Sequence, residues 1–551
     1  MSLVANFLHC ASFGFYEDDW YYMANAWLTP SREWFSSMWA SMRSFYLGRP
    51  IQECLLWTSG YVGSALHSIG ALYVLAALLN AAAVLLFYRV LRLRYPALLA
   101  ALGALVFAVS PLSTIRPFLG AALCLAPGMI LLLGAMLLYA RPRYAWASYL
   151  LAILALLTYE LLFFVYFAAP FFRRGRRGWR RTAIHVAACG LILAAYLVVR
   201  GHFSESRLMA ATAAPPLQIA LDLARFALFN TVNSFQSYIY AVYVALRDTR
   251  LDSLIWSLLL AGATAACLLR LPSARRRRAA RILSPRTRWW LARVLAPGAG
   301  MIALAYALSY FTSEHRLTYT LAGRDTRFSL GATIGSSLVV AGILWIPLAC
   351  SRRRWTRLVA GAGAAAFFVF LLLYSFVIQD DYRREWSHMR QLLAGMMVLS
   401  PDAGPETLLV IQRPWYDAPL FPSGPRRPSI NFQPHGMRLA FSRLFLDYPG
   451  PKVFVVFNDQ WRTHLGSHAD GKLYWDSPDF GNSQPEIWAP VERIVLLVET
   501  PGGDLKRVDA PFAVEGRQLI HERPPAPGPP SKWLALRRSR LFPVVFPRSP
   551  I

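Results

Sequence analysis

Three consecutive carboxylates, Glu17, Asp18 and Asp19, are followed at once by Trp20, Tyr21 and Tyr22. Carboxylates this close repel one another, and beside a bilayer they are costly unless something positive meets them, which marks the run as a candidate for chemistry. The aromatic rings suit a membrane interface, where an apolar ring body and a wet polar edge are both accommodated. A second costly carboxylate, Glu160, interrupts an apolar stretch. It can orient an acceptor, assist a metal, or close a helix turn through the backbone or Tyr159. Arginines suited to an anion stand at the ends of other apolar runs: Arg49, Arg116, Arg316, Arg324 and Arg327, accompanied by His315. A planar guanidinium donates two parallel hydrogen bonds, the geometry a phosphate presents. The same side chains can instead pair with acids such as Glu314 or Asp325, or reach toward lipid headgroups.

The elements that would hold these residues are set by composition. The chain of 551 residues is 56% hydrophobic and 16% charged, above the apolar share of about 45–50% in soluble proteins. The excess must face lipid. Runs of about 20 apolar residues, or fewer where broken, predict membrane helices. They fall at 69–91, 97–113, 118–139, 183–200, 253–270, 290–311, 328–350 and 358–378. Residues 144–172 read as two short helices, 146–158 and 160–171, turning at Thr158-Tyr159-Glu160. Such half-helices persist only where protein or water surrounds the turn. Residues 216–246 mix apolar positions with Asp222, Arg225, Asn230 and Gln236, which predicts an amphipathic helix lying on the outer surface.

A net charge of +27 would suggest nucleic acid in a soluble protein. Its distribution argues otherwise. Arg89, Arg92 and Arg94; Arg141 and Arg143; the cluster from Arg173 to Arg181; the cluster from Arg270 to Arg288; and Arg352 to Arg357 all lie between apolar runs, in segments without Asp or Glu. Positively charged loops stay in the cytoplasm. Residues 17–68, 112–117, the Glu160 turn, 201–252, 312–327 and everything after 379 then face outward. The first 16 residues lack a basic start and are too short to span, so they lie at the interface or follow a clipped first helix.

After the last span, Asp380 opens a helical stretch to about 399, followed by strand-like runs at 407–411, 453–457 and 494–499, the last ending in Pro-Gly-Gly. This predicts an outer soluble α/β or α+β domain. The six cysteines form no CxxC pair and none falls after Cys350, so that domain is held by its core rather than by disulfides. His464 and His468, with Asp470 close by, have a spacing that could ligate a metal on a helix, but Gly466 and the polar residues around it suggest a loop with no third ligand at a defined distance. No phosphate-binding glycine loop, GxSxG element or kinase set occurs.

Asp18-Asp19-Trp20-Tyr21-Tyr22 and Gly48-Arg49-Pro50 resemble, respectively, the acidic pair with following aromatics in the first outer loop, and the short Gly-Arg-Pro element, of the GT-C class of integral-membrane glycosyltransferases. That class includes the protein mannosyltransferases, the aminoarabinose transferases and the GtrII-like glucosyltransferases. The resemblance covers residues 1–380 in architecture and only these positions in motif. It implies a mainly α, polytopic transmembrane bundle, residues 1–379 with first outer loop 17–68, followed by the outer domain, residues 380–551. It further implies sugar transfer from a polyprenyl-phosphate carrier to a glycan, lipid or protein acceptor with inversion, in the inner membrane of a bacterium and without nucleic acid as partner.

In that chemistry a carboxylate takes the acceptor hydroxyl's proton, the role of Asp18 or Asp19. Cations meet the charge on the departing phosphate. Arg49 ranks first for this by motif, then Arg324 and Arg327 by position, with Glu17, Tyr21, Tyr22, Arg116, Glu160, His315 and Arg316 as further substrate contacts. Some members of the class use a divalent cation; oxygen ligands such as Asp18 and Asp19 would favour Mg or Mn over Zn. Two other readings compete. A ligase or polymerase of lipid-linked oligosaccharides would carry a large outer loop late in the chain, where 312–327 is short. The other is a transporter or an envelope scaffold; a transporter would show repeated halves and mid-membrane polar residues, and the sequence displays neither clearly.

Overall fold

The computed structural model describes residues 1–16, 19–44, 49–173, 179–202, 215–248, 250–269, 291–312, 324–350, 353–400, 407–413, 452–457, 465–467, 472–475, 487–490, 494–500, 503–508, 512–514, 517–519 and 541–546. The protein is mainly helical. In chain order the described α-helices are α1 (Ser2–Phe7), α2 (Asp19–Leu28), α3 (Trp34–Ser44), α4 (Pro50–Leu66), α5 (Ile69–Arg92), α6 (Ala97–Ala108), α7 (Leu119–Tyr139), α8 (Ala145–Thr158), α9 (Phe163–Tyr166), α10 (Ala169–Phe172), α11 (Trp179–His202), α12 (Pro216–Asp248), α13 (Leu251–Leu269), α14 (Ala296–Thr312), α15 (Ala332–Cys350), α16 (Arg354–Leu399) and α17 (Phe542–Val545). Each of the eight expected apolar runs carries a helix over most of its described residues, the second ending early, at Ala108. Among the described residues four helical segments, Ile69–Arg92, Leu119–Tyr139, Trp179–Arg200 and Trp355–Leu399, are long and apolar enough to cross a membrane by length and composition.

Two compact units emerge. The first holds Met1–Ala11, Phe35–Leu56 and Leu72–Asp380; the second holds Ser12–Trp34, Trp57–Ala71 and Asp381–Ile551. In the first, α7 and α8 form a tight hairpin, and the chain then breaks at Tyr159, passes through a single 3-10 turn (Glu160–Leu162) and returns as α9 and α10. The return is antiparallel: Tyr166 on α9 bonds Ser148 near the start of α8 at 2.8 Å. Helices α14 and α15 cross where both lack side chains. A Cβ on Gly335 would lie 2.4 Å from the Gly298 carbonyl, so only glycine lets these backbones approach.

Helix α12 departs from the expected surface amphipath. Its polar residues Asn230, Asn233, Ser234 and Ser237 are buried, while Leu228, Phe229, Val232, Ile239 and Leu246 are exposed. The buried side docks mainly on α14, where the Ser234 hydroxyl meets Tyr306 at 2.8 Å. Polarity is thus the reverse of what water selects; the polar face is satisfied by protein, and Gln236 alone interrupts the apolar side between Arg225 and Arg247 among the exposed positions.

In the second unit, β1 (Leu408–Arg413), β2 (Lys452–Phe457), β6 (Ile494–Glu499) and β7 (Leu505–Val508) form a sheet ordered β2-β1-β6-β7, parallel except for β7. Between β2 and β6 lie β3 (Leu465–Ser467), β4 (Lys472–Trp475) and β5 (Ile487–Pro490), an antiparallel three-stranded sheet. The three expected strands are the three parallel ones. Buried Leu409, Val410, Ile411, Val495 and Leu497 give them their unbroken apolar character. Gly503, just ahead of β7, has φ 84°, a left-handed conformation that glycine adopts without steric cost. The last turns of α16 hold this sheet: Gln391 donates to Asp504 at 2.6 Å, Arg507 to the Leu399 carbonyl at 3.1 Å, and His388 lies 2.9 Å from Glu499.

Candidate functional site

The break after α8 places Glu160 in the protein interior with no exposure. Tyr159, extended at φ −157°, ends the helix, and the carboxylate that follows needs compensation, because an isolated buried carboxylate is strongly disfavoured. Arg49 supplies it. Its Nε donates to Glu160 Oε2 at 2.5 Å and its Nη2 to Oε1, a two-pronged pair across 111 residues. Arg200, at the end of α11, adds its Nη1 at 3.5 Å. One carboxylate is shared by two guanidinium groups, and the three side chains sum to +1.

Aromatic rings wall this cluster. The Arg49 guanidinium lies 4.6 Å over the Tyr159 ring and Arg200 5.4 Å from the Tyr196 ring, and such face contacts favour a desolvated cation. Arg327, in the 3-10 turn Arg324–Ser329, is close enough to influence Tyr159 electrostatically. Arg49 keeps its place because Pro50 opens α4 and forces an extended residue before it. The structure therefore joins Arg49 and Glu160, which the sequence offered as separate candidates, and adds Arg200 and Tyr196, which it did not offer. Arg200 closes an apolar run and reads there as the run's last residue; its distance from the Arg173–Arg181 cluster is the signal that was available.

Asp19 belongs to the second unit. It is 1% exposed and sits in the first turn of α2, where its Oδ2 accepts the Tyr16 N–H at 3.0 Å while the Asp19 N–H reaches the Tyr16 carbonyl at 2.8 Å. A carboxylate closing back on the chain that enters a helix is a capping device. Around it, Tyr16 donates from its hydroxyl to the Tyr382 carbonyl at 2.9 Å, and Gly14 lies flat on Trp386, where a Cβ would come within 2.0 Å of the indole. Burial, with Asp19 and Glu385 nearby, holds the Tyr16 phenol protonated well above its ordinary range.

Of the remaining candidates, Tyr22 lies half-buried on α2, and the backbones of Tyr21 and Arg324 are helical. Glu17, Asp18, Gly48, His315, Arg316, His464 and His468 lie outside the described residues, as do the side chains of Tyr21 and Arg324. Among the described residues no group of three or more His, Cys, Asp or Glu is placed to hold a metal. Arg116 is separate in its contacts: it donates to the Ala108 carbonyl and, at 2.5 Å, to that of Phe107, closing the end of α6. Burial pushes its guanidinium down to about 10.

Comparison with known proteins returns no matching family model, no matching curated protein and no matching solved structure.

Proposed function

We propose that the chain is a membrane glycosyltransferase that moves a sugar from a polyprenyl-phosphate carrier to a glycan, lipid or protein acceptor at the outer face of a bacterial inner membrane. The observation that supports this reading is the buried Arg49–Glu160–Arg200 cluster. A fixed carboxylate holds two guanidinium groups in place, and Arg49 engages it through Nε and Nη2, which leaves Nη1 to meet an anion. Cations held rigidly in a dry setting stabilise a developing phosphate charge without reorganising.

In this reading the acceptor oxygen attacks the anomeric carbon from the face opposite the phosphate. A new C–O bond forms as the bond from that carbon to the phosphate oxygen breaks, so the sugar inverts and the electron pair leaves with the polyprenyl phosphate. The acceptor's proton goes to a carboxylate. Because the Asp19 carboxylate is spent on the entry to α2, the base is assigned to Asp18, with Asp19 positioning it. Arg49 and Arg200 meet the phosphate, with Arg324 and Arg327 as further candidates for the same role. The arginine-rich connections keep their ends of the helices in the cytoplasm, and the sheet domain after 380 serves acceptor binding.

The test is turnover of radiolabelled polyprenyl-phosphate sugar by the purified full-length chain in proteoliposomes. Label should pass to an acceptor with wild type and not with Asp18→Asn/Asp19→Asn, at equal membrane expression. Full transfer by the double variant would sink the assignment of the base, and translocation of intact carrier without turnover would replace transfer with transport.

A further inference from the structure

Arg116 borders a partly open cleft walled by α5, α6 and α7. The residue is 6% exposed, and the hydrogen-bond partners of its guanidinium among the described residues are carbonyls, not carboxylates. Those carbonyls offer only the partial negative charge of a helix end, whereas a buried full charge calls for a full counter-charge. Beside it the Ser113 hydroxyl, 3% exposed, also lines the cleft and has no hydrogen-bond partner among the described residues. Asn80 completes the polar lining, and the rest is apolar, including Val84, Leu125 and Met129.

The two chemistries are arranged along a line. Arg116 and Ser113 precede α7, while the apolar wall runs down that helix to Met129, about 15 Å from its first residue at 1.5 Å per residue. The free space is about 30 Å³, room for the oxygens of a head group and not for a whole lipid. The remainder of a ligand must lie along the open side.

We infer that this cleft binds an acidic amphiphile, its phosphate or carboxylate oxygens on Arg116 and Ser113 and its hydrocarbon chain against Val84, Leu125 and Met129. The site is separate from the Glu160 cluster and does not rest on the transfer reading; it requires only that the chain be lodged among lipids. An acidic phospholipid and a free fatty acid share this chemistry, and a detergent-purified full-length chain can distinguish them.

The experiment loads that protein with phosphatidylglycerol, oleate or phosphatidylcholine and measures retention by native mass spectrometry. Wild type should retain at least one of the two acidic lipids, which identifies the source, at least tenfold better than phosphatidylcholine. Arg116→Gln should abolish that preference, and Ser113→Ala should reduce it about threefold. Val84→Trp, which fills the half-buried wall and leaves the cation in place, should weaken retention if Arg116→Gln fails to fold. Unchanged retention in Ser113→Ala and Val84→Trp, equal retention of phosphatidylcholine, or displacement by millimolar inorganic phosphate alone would overturn the proposal, the last by showing a site for a small anion.

Discussion

Glu160 is the residue whose loss should cost most. Taking away one partner of a buried pair leaves the other charge uncompensated, at about 3–5 kcal/mol, so Glu160→Gln should lower thermal stability in detergent by that order. Arg49→Lys keeps the charge and loses the fork. On the proposed function it should cut transfer by about tenfold or more, the worth of roughly 1.4 kcal/mol in the transition state, while expression holds. The acidic run should divide the same way. Asp19→Asn weakens a helix entry worth about 1 kcal/mol, visible in unfolding, and Asp18→Asn should leave unfolding unchanged and remove transfer. The sequence showed Glu160 as a candidate because a carboxylate is expensive beside lipid, and Arg49 through its Gly48-Arg49-Pro50 element. It could not show that they are a pair, since 111 intervening residues leave no periodicity to read.

The helices were legible at the level of elements because lipid demands long uninterrupted apolar runs, and the turn at Thr158-Tyr159-Glu160 was legible because a charged residue inside such a run needs a reason. Helix α12 was only half legible. Its mixed composition gave a helix, but polarity alone does not say which face is inward, and here Asn230, Asn233, Ser234 and Ser237 face protein. Exposed Leu228, Val232 and Ile239 should therefore meet hydrocarbon: spin labels there, in proteoliposomes, should relax faster with oxygen than with a water-soluble nickel complex. The reverse order would place that face in water. The crossing of α14 and α15 makes a separate demand. Gly335→Ala introduces a Cβ at 2.4 Å from a backbone carbonyl, and forcing helices apart in a packed interior costs about 1–3 kcal/mol, measurable as a lowered unfolding midpoint against a surface Gly361→Ala control, whose added Cβ meets nothing within 4 Å.

For the molecule as a whole, the arginine distribution makes one demand, that the chain after 380 lie outside the cytoplasm. A carboxy-terminal alkaline phosphatase fusion should be active, and a fusion after Arg278 inactive; the opposite pattern would remove the topology on which the transferase reading stands. Two compact units are present, and the second draws on residues 12–34 and 57–71 as well as the end of the chain, a discontinuity that composition does not display because it follows packing rather than order. The Glu160 ion cluster also imposes a schedule on biogenesis. Translation delivers Arg49 first, then the carboxylate, and Arg200 only 40 residues later (200 minus 160). A nascent chain halted before Arg200 leaves the Glu160 carboxylate without the second of its two guanidinium partners, so the hairpin should settle late, and a cysteine placed at Leu161 should stay reactive in ribosome-bound chains until α11 has emerged.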